Sequence, residues 1–403
     1  MSYERPFEGV RVIDLSQGIA GPYCAMLLAQ WGADVIKVEP PDGDWARILG
    51  PRYGDHTAFS IAGNLGKRSI AIDLKQAAGR TVLKRLVGGA TIFIQGFRPG
   101  VIGRLGFDFE AVSALAPGVI YLSISGYGQS GPLREKPAMD PILQAYTGFM
   151  ANNRDTFGTP QRAGPIIVDM TTALYAYQAV SAALYARRDD PRPRHIDASL
   201  MSGAANLQSV RMMSTDLEQR EPQPGFTPGG VFPCHESHIQ ILVQREKNWH
   251  DLCDILGLPD LKADPRFDGN AARAGNIDAL TALLCQALSA KTAQEWSFAL
   301  TEAGIQNEPV LDYLQFLSEP QVAETQLVSR LPQPEVPRPV AIVNPPGLPP
   351  LQAGEARAVA PVIGGQSRAI LGEAGLSTAE IDALIQQGIV HEREIGAAGS
   401  QTG

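Results

Sequence analysis

Between residues 10 and 125, short apolar runs alternate with segments whose apolar residues recur every three or four positions. The runs "VRVIDL", "ADVIKVE", "RSIAIDL", "ATIFIQ" and "VIYLSIS" are rich in Val and Ile, which predicts strands. Between them "AMLLAQWG", "TVLKRLVG" and "FEAVSAL" carry the helical period. Strand, helix, strand in that rhythm means parallel pairing with helical crossovers, a Rossmann-like α/β layer. Helical patterns then dominate from about 138 to 214. A break containing Pro and Gly, "EPQPGFTPGGVFP", opens a second segment with its own strand, "HIQILVQ", and helices at "NWHDLCDILG" and "TAQEWSFALTEAG".

Eight prolines lie between 332 and 350, a run too stiff and too poor in donors for regular structure, so it reads as an extended connector. The chain closes on "SRAILGEAGLSTAEIDALIQQG", two short helices that would return to the first domain. The expected organisation is a large domain built from both chain ends, residues 1–215 and 361–403. A linker and smaller α/β domain would span 216–330, and the proline-rich linker 331–360.

At 403 residues, two domains are the ordinary expectation, and 44% hydrophobic with 19% charged residues describes a soluble globular chain. A net charge of −8 argues against broad nucleic-acid binding. Charges near the start, in "MSYERPFEGVRVIDL", argue against a secretory signal. Cys24, Cys234, Cys253 and Cys285 are too scattered for a disulfide framework, so free thiols in a cytoplasmic protein are expected.

One acid stands out. In "GPIIVDMTTALYAYQAVSAALYAR" Asp169 precedes seventeen residues without a charge, Met170 to Ala186, too polar for a membrane span and expected as a buried helix. At a helix start Asp169 reads as an N-cap. A carboxylate fixed there beside an apolar wall is equally well placed to act as a nucleophile, and position alone leaves both open.

Familiar motifs do not apply. "GYGQSG" satisfies GxGxxG, but "PLREKP" follows where a phosphate-binding helix is required. "GNLGKRS" lacks the first P-loop glycine and has Arg68 where Ser or Thr would bind magnesium. "HESH" has the wrong spacing for a zinc helix, no metal site is expected, and no GxSxG elbow exists. What remains is a set of cations among the βα loops: Lys37, Arg47, Arg52, Lys67, Arg68, Lys75, Arg98 and Arg104. Several lie at strand ends, where open α/β sheets bind phosphorylated ligands, so a large anionic cofactor would fit.

The segments "RVIDLSQGIAGPYCAMLLAQWGADVIKVEPPDGDWARILGP", "NLGKRSIAIDLK", "GFRPGVIGRLGFDFEAV", "VIYLSISGYGQSGP" and "DPILQAYTG", with the Asp169 stretch, carry a resemblance nearly continuous over residues 10–200. In them the chain resembles the class III CoA-transferases of the formyl-CoA transferase and carnitine CoA-transferase type, relatives of the α-methylacyl-CoA racemases. The resemblance implies an interlocked homodimer joined by long linkers. It implies coenzyme A, as acyl-CoA, and a small carboxylic acid as ligands, with Asp169 as the catalytic carboxylate. Ser16, Gln17 and Ala20, in the loop running to Gly21, match CoA-contacting positions, as do Lys75, Phe97, Arg104 and Lys136. Met139, Asp140, Gly229 and Gly230 match positions near the acyl group or acceptor.

Two departures bear on the substrate. Gln95, Gly96 and Phe97 stand where many members have Glu-Asn-Phe, which removes an amide near the CoA. The four-glycine loop of the formyl-CoA branch is reduced to Gly229 and Gly230, which argues against oxalate and formyl-CoA. Succinyl-CoA with a C5 acid is the pair that family breadth suggests instead. An ordinary Asp, with a pKa of about 3.9, would be ionised at neutral pH and need no base. The implied oxyanion donors are the first turn after Asp169 or the Gly229/Gly230 loop. Two other readings stand beside the transferase. A racemase is disfavoured because Met139 occupies the place of its histidine base, and a CoA-binding protein would use Asp169 only as a cap.

Overall fold

The computed structural model describes residues 5–154, 158–221 and 225–393. Two compact units divide the chain: Met1–Ser209 with Glu324–Gly403, and Val210–Ala323.

The larger unit is built on a seven-stranded sheet. Its strands are β1 (Arg11–Asp14), β2 (Asp34–Glu39), β3 (Arg68–Ile72), β4 (Ile92–Gln95), β5 (Ile120–Ser125), β6 (Arg194–Ser199) and β12 (Val390–His391). Their order is β12-β3-β2-β1-β4-β5-β6, parallel throughout except for β12 against β3. The crossovers carry α1 (Ala20–Gln30), α2 (Ala58–Asn64), α3 (Ala77–Val87), α4 (Val101–Arg104) and α5 (Phe109–Leu115). After β5 come α6 (Asp140–Tyr146), α7 (Phe149–Asn152) and α8 (Ile167–Ala186).

Side chains alternate across the strands, so β1, β2, β4 and β5 each feed two cores. Ile13, Ile36, Ile70, Phe93 and Tyr121 face one side, under Leu83 and Leu86 of α3 and Val112 of α5. Val12, Val35, Ile92 and Leu122 face the other, under α1 and α8. Leu28 of α1 is wholly buried there, and burying a leucine side chain stabilises by about 2 kcal/mol. The closing helices, Ser367–Glu373 and Thr378–Gln386, set Ile370, Leu371 and Ile381 into the first core, and Val390 then pairs with Ile72.

Three expectations need correction. First, β6 and β12 lie outside the five predicted strands. β6 is an edge strand carrying Arg194, His195 and Asp197, polar residues that mask its strand character and blunt the edge. β12 has only two residues, and its pairing alone defines it. Second, the proline-rich run is not bare connector. Its strand β11 (Val340–Val343) pairs antiparallel with β10 (Val328–Leu331), and Leu331, Ile342 and Leu351 pack with Met26, Leu27, Ile61 and Leu65. Third, α8 is buried along one stripe only, Val168, Thr172, Ala176, Val180 and Ala183, while Leu174 is 53% and Tyr185 72% exposed.

The smaller unit holds a three-stranded antiparallel sheet, β7 (Gly229–Cys234), β8 (Ser237–Leu242) and β9 (Gln306–Pro309), in sequence order. Ile239, Ile241, Trp249, Leu284 and Trp296 form its core.

Candidate functional site

Strand order reverses at β1, which pairs with β2 on one side and β4 on the other. Loops leaving the carboxyl ends of β1 and β4 must part there and leave a crevice. The loop after β1 is Leu15–Ile19, leading into α1 at Ala20 and Gly21, and the loop after β4 begins at Gly96. Between them a cavity of about 490 Å³ is lined by Gln17, Ala20, Trp45, Phe97, Met139 and Asp169, with Arg98 at its wall. A second hollow of about 280 Å³ shares Gln17 and Phe97 with the first and includes Lys75 and Leu105.

Buried charge holds the first loop from beneath. Asp14 accepts the Ser16 amide at 2.9 Å and the Ser16 hydroxyl, and Lys37 Nζ donates to the Ser16 carbonyl. Lys67 donates to Asp14 at 2.7 Å and to the Pro22 carbonyl at 2.8 Å. Burial alone would raise the Asp14 carboxyl, but the Lys67 and Lys37 ammonium groups outweigh it and hold the pKa below the ordinary value. Lys67 is pushed down to about 8, chiefly by burial and further by Lys37, although Asp14 opposes the fall. No side chain caps α1, whose first residues Ala20 and Gly21 line the cavity beside Ile19.

Asp169 is the third residue of α8, not its N-cap. The capping is done from another helix. Asp140 Oδ2 accepts the amides of Val168 at 2.7 Å and Asp169 at 3.1 Å, and Oδ1 accepts Gln144 Nε2 at 2.6 Å. Gln144 Oε1 takes the Ala163 amide at 2.9 Å, which fixes the approach to α8. The Asp169 side chain is thus free of capping duty and lines the cavity. Burial, helped by the like charge of Asp140, pushes its pKa up to about 7, well above the ordinary aspartate expected from sequence.

The remaining site residues divide sharply. Gln17, Ala20, Phe97 and Met139 line the cavity, and Lys75 the adjoining hollow. Arg104 is exposed on α4 next to Leu105, which lines that hollow. Ser16 is buried, its hydroxyl committed to Asp14. Lys136 holds its ammonium over the rings of Tyr127 and Tyr146 at 5.6 and 5.9 Å. Asp140, expected near the acceptor acid, instead turns inward with both oxygens engaged. Gly229 and Gly230 belong to β7 of the smaller unit, opposite Leu242 and Ile241.

Four of the cations expected as phosphate partners serve inside the protein. Lys37 pairs with Asp44, Arg47 with Glu39, Lys67 with Asp14, and Arg68 with Asp34 and Glu373. Sequence reasoning also missed Asp44 and Trp45. The string "DGDWARI" reads as an ordinary turn, and only the fold sets the indole on the cavity wall. Among the described residues no three His, Cys, Asp or Glu are grouped to hold a metal ion, and no helix is long and apolar enough to cross a membrane.

Comparison with known proteins gives a consistent result. The model of CoA-transferase family III matches residues 7–367. An acetyl-CoA:oxalate CoA-transferase of Acetobacter aceti is 35% identical, over 80% of this chain and 85% of that protein. A succinyl-CoA:glutarate CoA-transferase of Homo sapiens is 30% identical, over 83% of this chain and 78% of that one. Among solved structures, a CAIB/BAIF family protein from Brucella suis superposes with a TM-score of 0.82 at 28% identity, covering 92% of this chain and all of that one. Rv3272 from Mycobacterium tuberculosis does so at 0.77, with 28% identity and the same coverage.

Proposed function

The chain belongs to CoA-transferase family III, and on that premise we propose that it moves CoA from an acyl-CoA thioester to a free carboxylate through covalent intermediates on Asp169. The observation that carries the reading is the Asp169 carboxyl itself. It is released from capping by Asp140 and opens into the cavity that adjoins the Lys75 hollow.

In the proposed sequence an ionised Asp169 oxygen attacks the thioester carbonyl and expels CoA thiolate, leaving an aspartyl mixed anhydride. The thiolate attacks the aspartyl carbonyl, which releases the donor acid and forms an aspartyl-CoA thioester. The acceptor carboxylate attacks that thioester and again frees the thiolate. Attack of the thiolate on the acceptor's acyl carbon completes the new acyl-CoA and restores Asp169. Each acyl bond broken is replaced by another, so no ATP is needed. A carboxylate with a raised pKa is the better nucleophile once ionised.

Each step needs donors for an oxyanion. The first turn of α8 does not offer them, since Asp140 takes the Val168 and Asp169 amides and Ile166 O takes that of Met170. The uncapped start of α1 is the better source: Pro22 has no N–H and the Tyr23 amide donates to the Ile19 carbonyl, which leaves the amides of Ala20 and Gly21, two residues that line the same cavity. Phe97, Lys75 and Arg104 would hold the CoA moiety along the crevice. The exposed Leu174, Tyr175 and Tyr185 of α8 suit burial against a second copy, in an interlocked homodimer. Four unpaired thiols suit a reducing compartment such as the cytoplasm.

Met139 lies on the cavity wall and its thioether takes no proton, which favours transfer over racemisation. The test is exchange between succinyl-CoA and glutarate, followed by chromatography of the thioesters, with hydroxylamine trapping mapped to Asp169. Solvent deuterium entering the α-position of a 2-methylacyl-CoA as fast as CoA is exchanged would overturn the reading. Light scattering that finds a 43.1 kDa monomer would rule out the dimer.

A further inference from the structure

Asp44 is almost wholly buried and touches two walls of the cavity at once. Its oxygens lie 3.0 and 3.1 Å from the Gly18 amide, at the turn of the loop that follows β1. Oδ1 also accepts the Ala46 amide at 3.0 Å and so starts the short 3₁₀ turn Trp45–Ile48, whose first residue is the indole of the cavity wall. Lys37 Nζ, at 3.1 Å from Oδ2, neutralises the carboxylate and donates to the Ser16 carbonyl. The Asp44 amide is held by Glu39 Oε1 at 3.1 Å, so the acid cannot drift.

The loop and the indole also touch each other. Gly18 has φ of +79°, and a Cβ there would overlap the Trp45 ring. The backbone conformation that only glycine adopts easily is therefore the one that seats the indole. One carboxylate sets the distance between the Gln17 side and the Trp45 side of the cavity. From this geometry we infer that Asp44 is a positioning residue for acyl-CoA, a clamp that preforms the cavity before ligand arrives. A preformed cavity spares the ligand the cost of ordering two loops, so the clamp acts on affinity. The inference rests on the reading of this cavity as the acyl-CoA site.

Asp14 and Glu39 still face the Lys37 ammonium when the Asp44 charge is gone, so the informative variant is Asp44→Ala, which removes the acceptors of the Gly18 and Ala46 amides and leaves the Lys37 bond to the Ser16 carbonyl in place. Free CoA is titrated calorimetrically, and amide exchange is followed over Ser16–Gly21. The expected result is a folded variant whose CoA dissociation constant rises at least tenfold, with faster exchange in that loop and unchanged exchange in β1. A folded variant that binds CoA as tightly as the wild type overturns the inference. If the variant does not fold, the wild-type Gly18 amide decides, because a clamped amide exchanges as slowly as those of β1 and an open-chain rate refutes the clamp. Wild type that fails to bind CoA refutes the acyl-CoA reading and with it the positioning role for acyl-CoA, whereas Gly18 exchange still reports whether Asp44 holds the loop.

Discussion

Asp140 Oδ2 accepts the backbone amide of Asp169 at 3.1 Å while its charge opposes ionisation of the Asp169 side chain. One carboxylate therefore starts the helix that carries the other and helps keep that other protonated. With burial as the larger cause, the Asp169 carboxyl titrates near 7.

The pH profile follows. If only ionised Asp169 attacks, kcat/KM rises with pH and levels off above about 7, falling to roughly a tenth of the plateau one unit below that pKa. A profile flat from pH 5 to 8, for acids already ionised throughout, would show that Asp169 is an ordinary aspartate or not the nucleophile.

Asp169→Asn should abolish exchange by three orders of magnitude or more, roughly, since the amide is no nucleophile. It should also stabilise the fold. The folded pKa lies above the unfolded value of about 3.9, so the cost of ionising Asp169 is absent below pH 4, grows between 4 and 7, and is complete above 7. Removing it should add about 1–2 kcal/mol at pH 8, after discounting for solvent at the cavity, and nothing at pH 4. Melting curves of both proteins at the two pH values check the sign.

Replacing Asp140 by Asn keeps one acceptor for the α8 amides and removes the charge. The activity profile should move acidward, because the like-charge contribution to the Asp169 pKa is gone. The weakened cap should cost about 1 kcal/mol. Lost stability with an unmoved profile would confine Asp140 to a structural role.

Gly96→Asn is expected to fold normally. A Cβ at that position meets only ordinary contacts, 3.5 Å from Ser16 Cβ and 3.6 Å from the Gln17 amide. Its amide would reach into the cavity and should lower KM for acyl-CoA a few-fold. An increase would mean that the space beside Gly96 is itself used by the ligand.

Five parallel strands, the crossover helices α1, α3 and α5 and the two closing helices were legible in local pattern, because a strand buried on both faces reads as a largely apolar run, whereas α2 and α4 were not read. β6 escaped because its edge position tolerates charge, and β12 because two residues carry no period. Asp169 stood out by its place at the head of an uncharged stretch, Gln17 and Phe97 by their place in quoted segments, and Met139 as the residue standing where the racemases have a histidine. By itself the sequence determined which residue types stand at the strand ends and which acid heads α8.

Only the tertiary structure decided what each charge does. Asp140 caps a helix that begins 27 residues later, and Lys37, Arg47 and Lys67 are bound to Asp44, Glu39 and Asp14 beneath the loop. Asp169 is raised towards neutrality by burial and by an acid 29 positions away. The physical reason is that backbone propensity and hydrophobic period act between near neighbours in the chain. The energy of a charge depends instead on distance and dielectric in space, which exist only once the chain has folded.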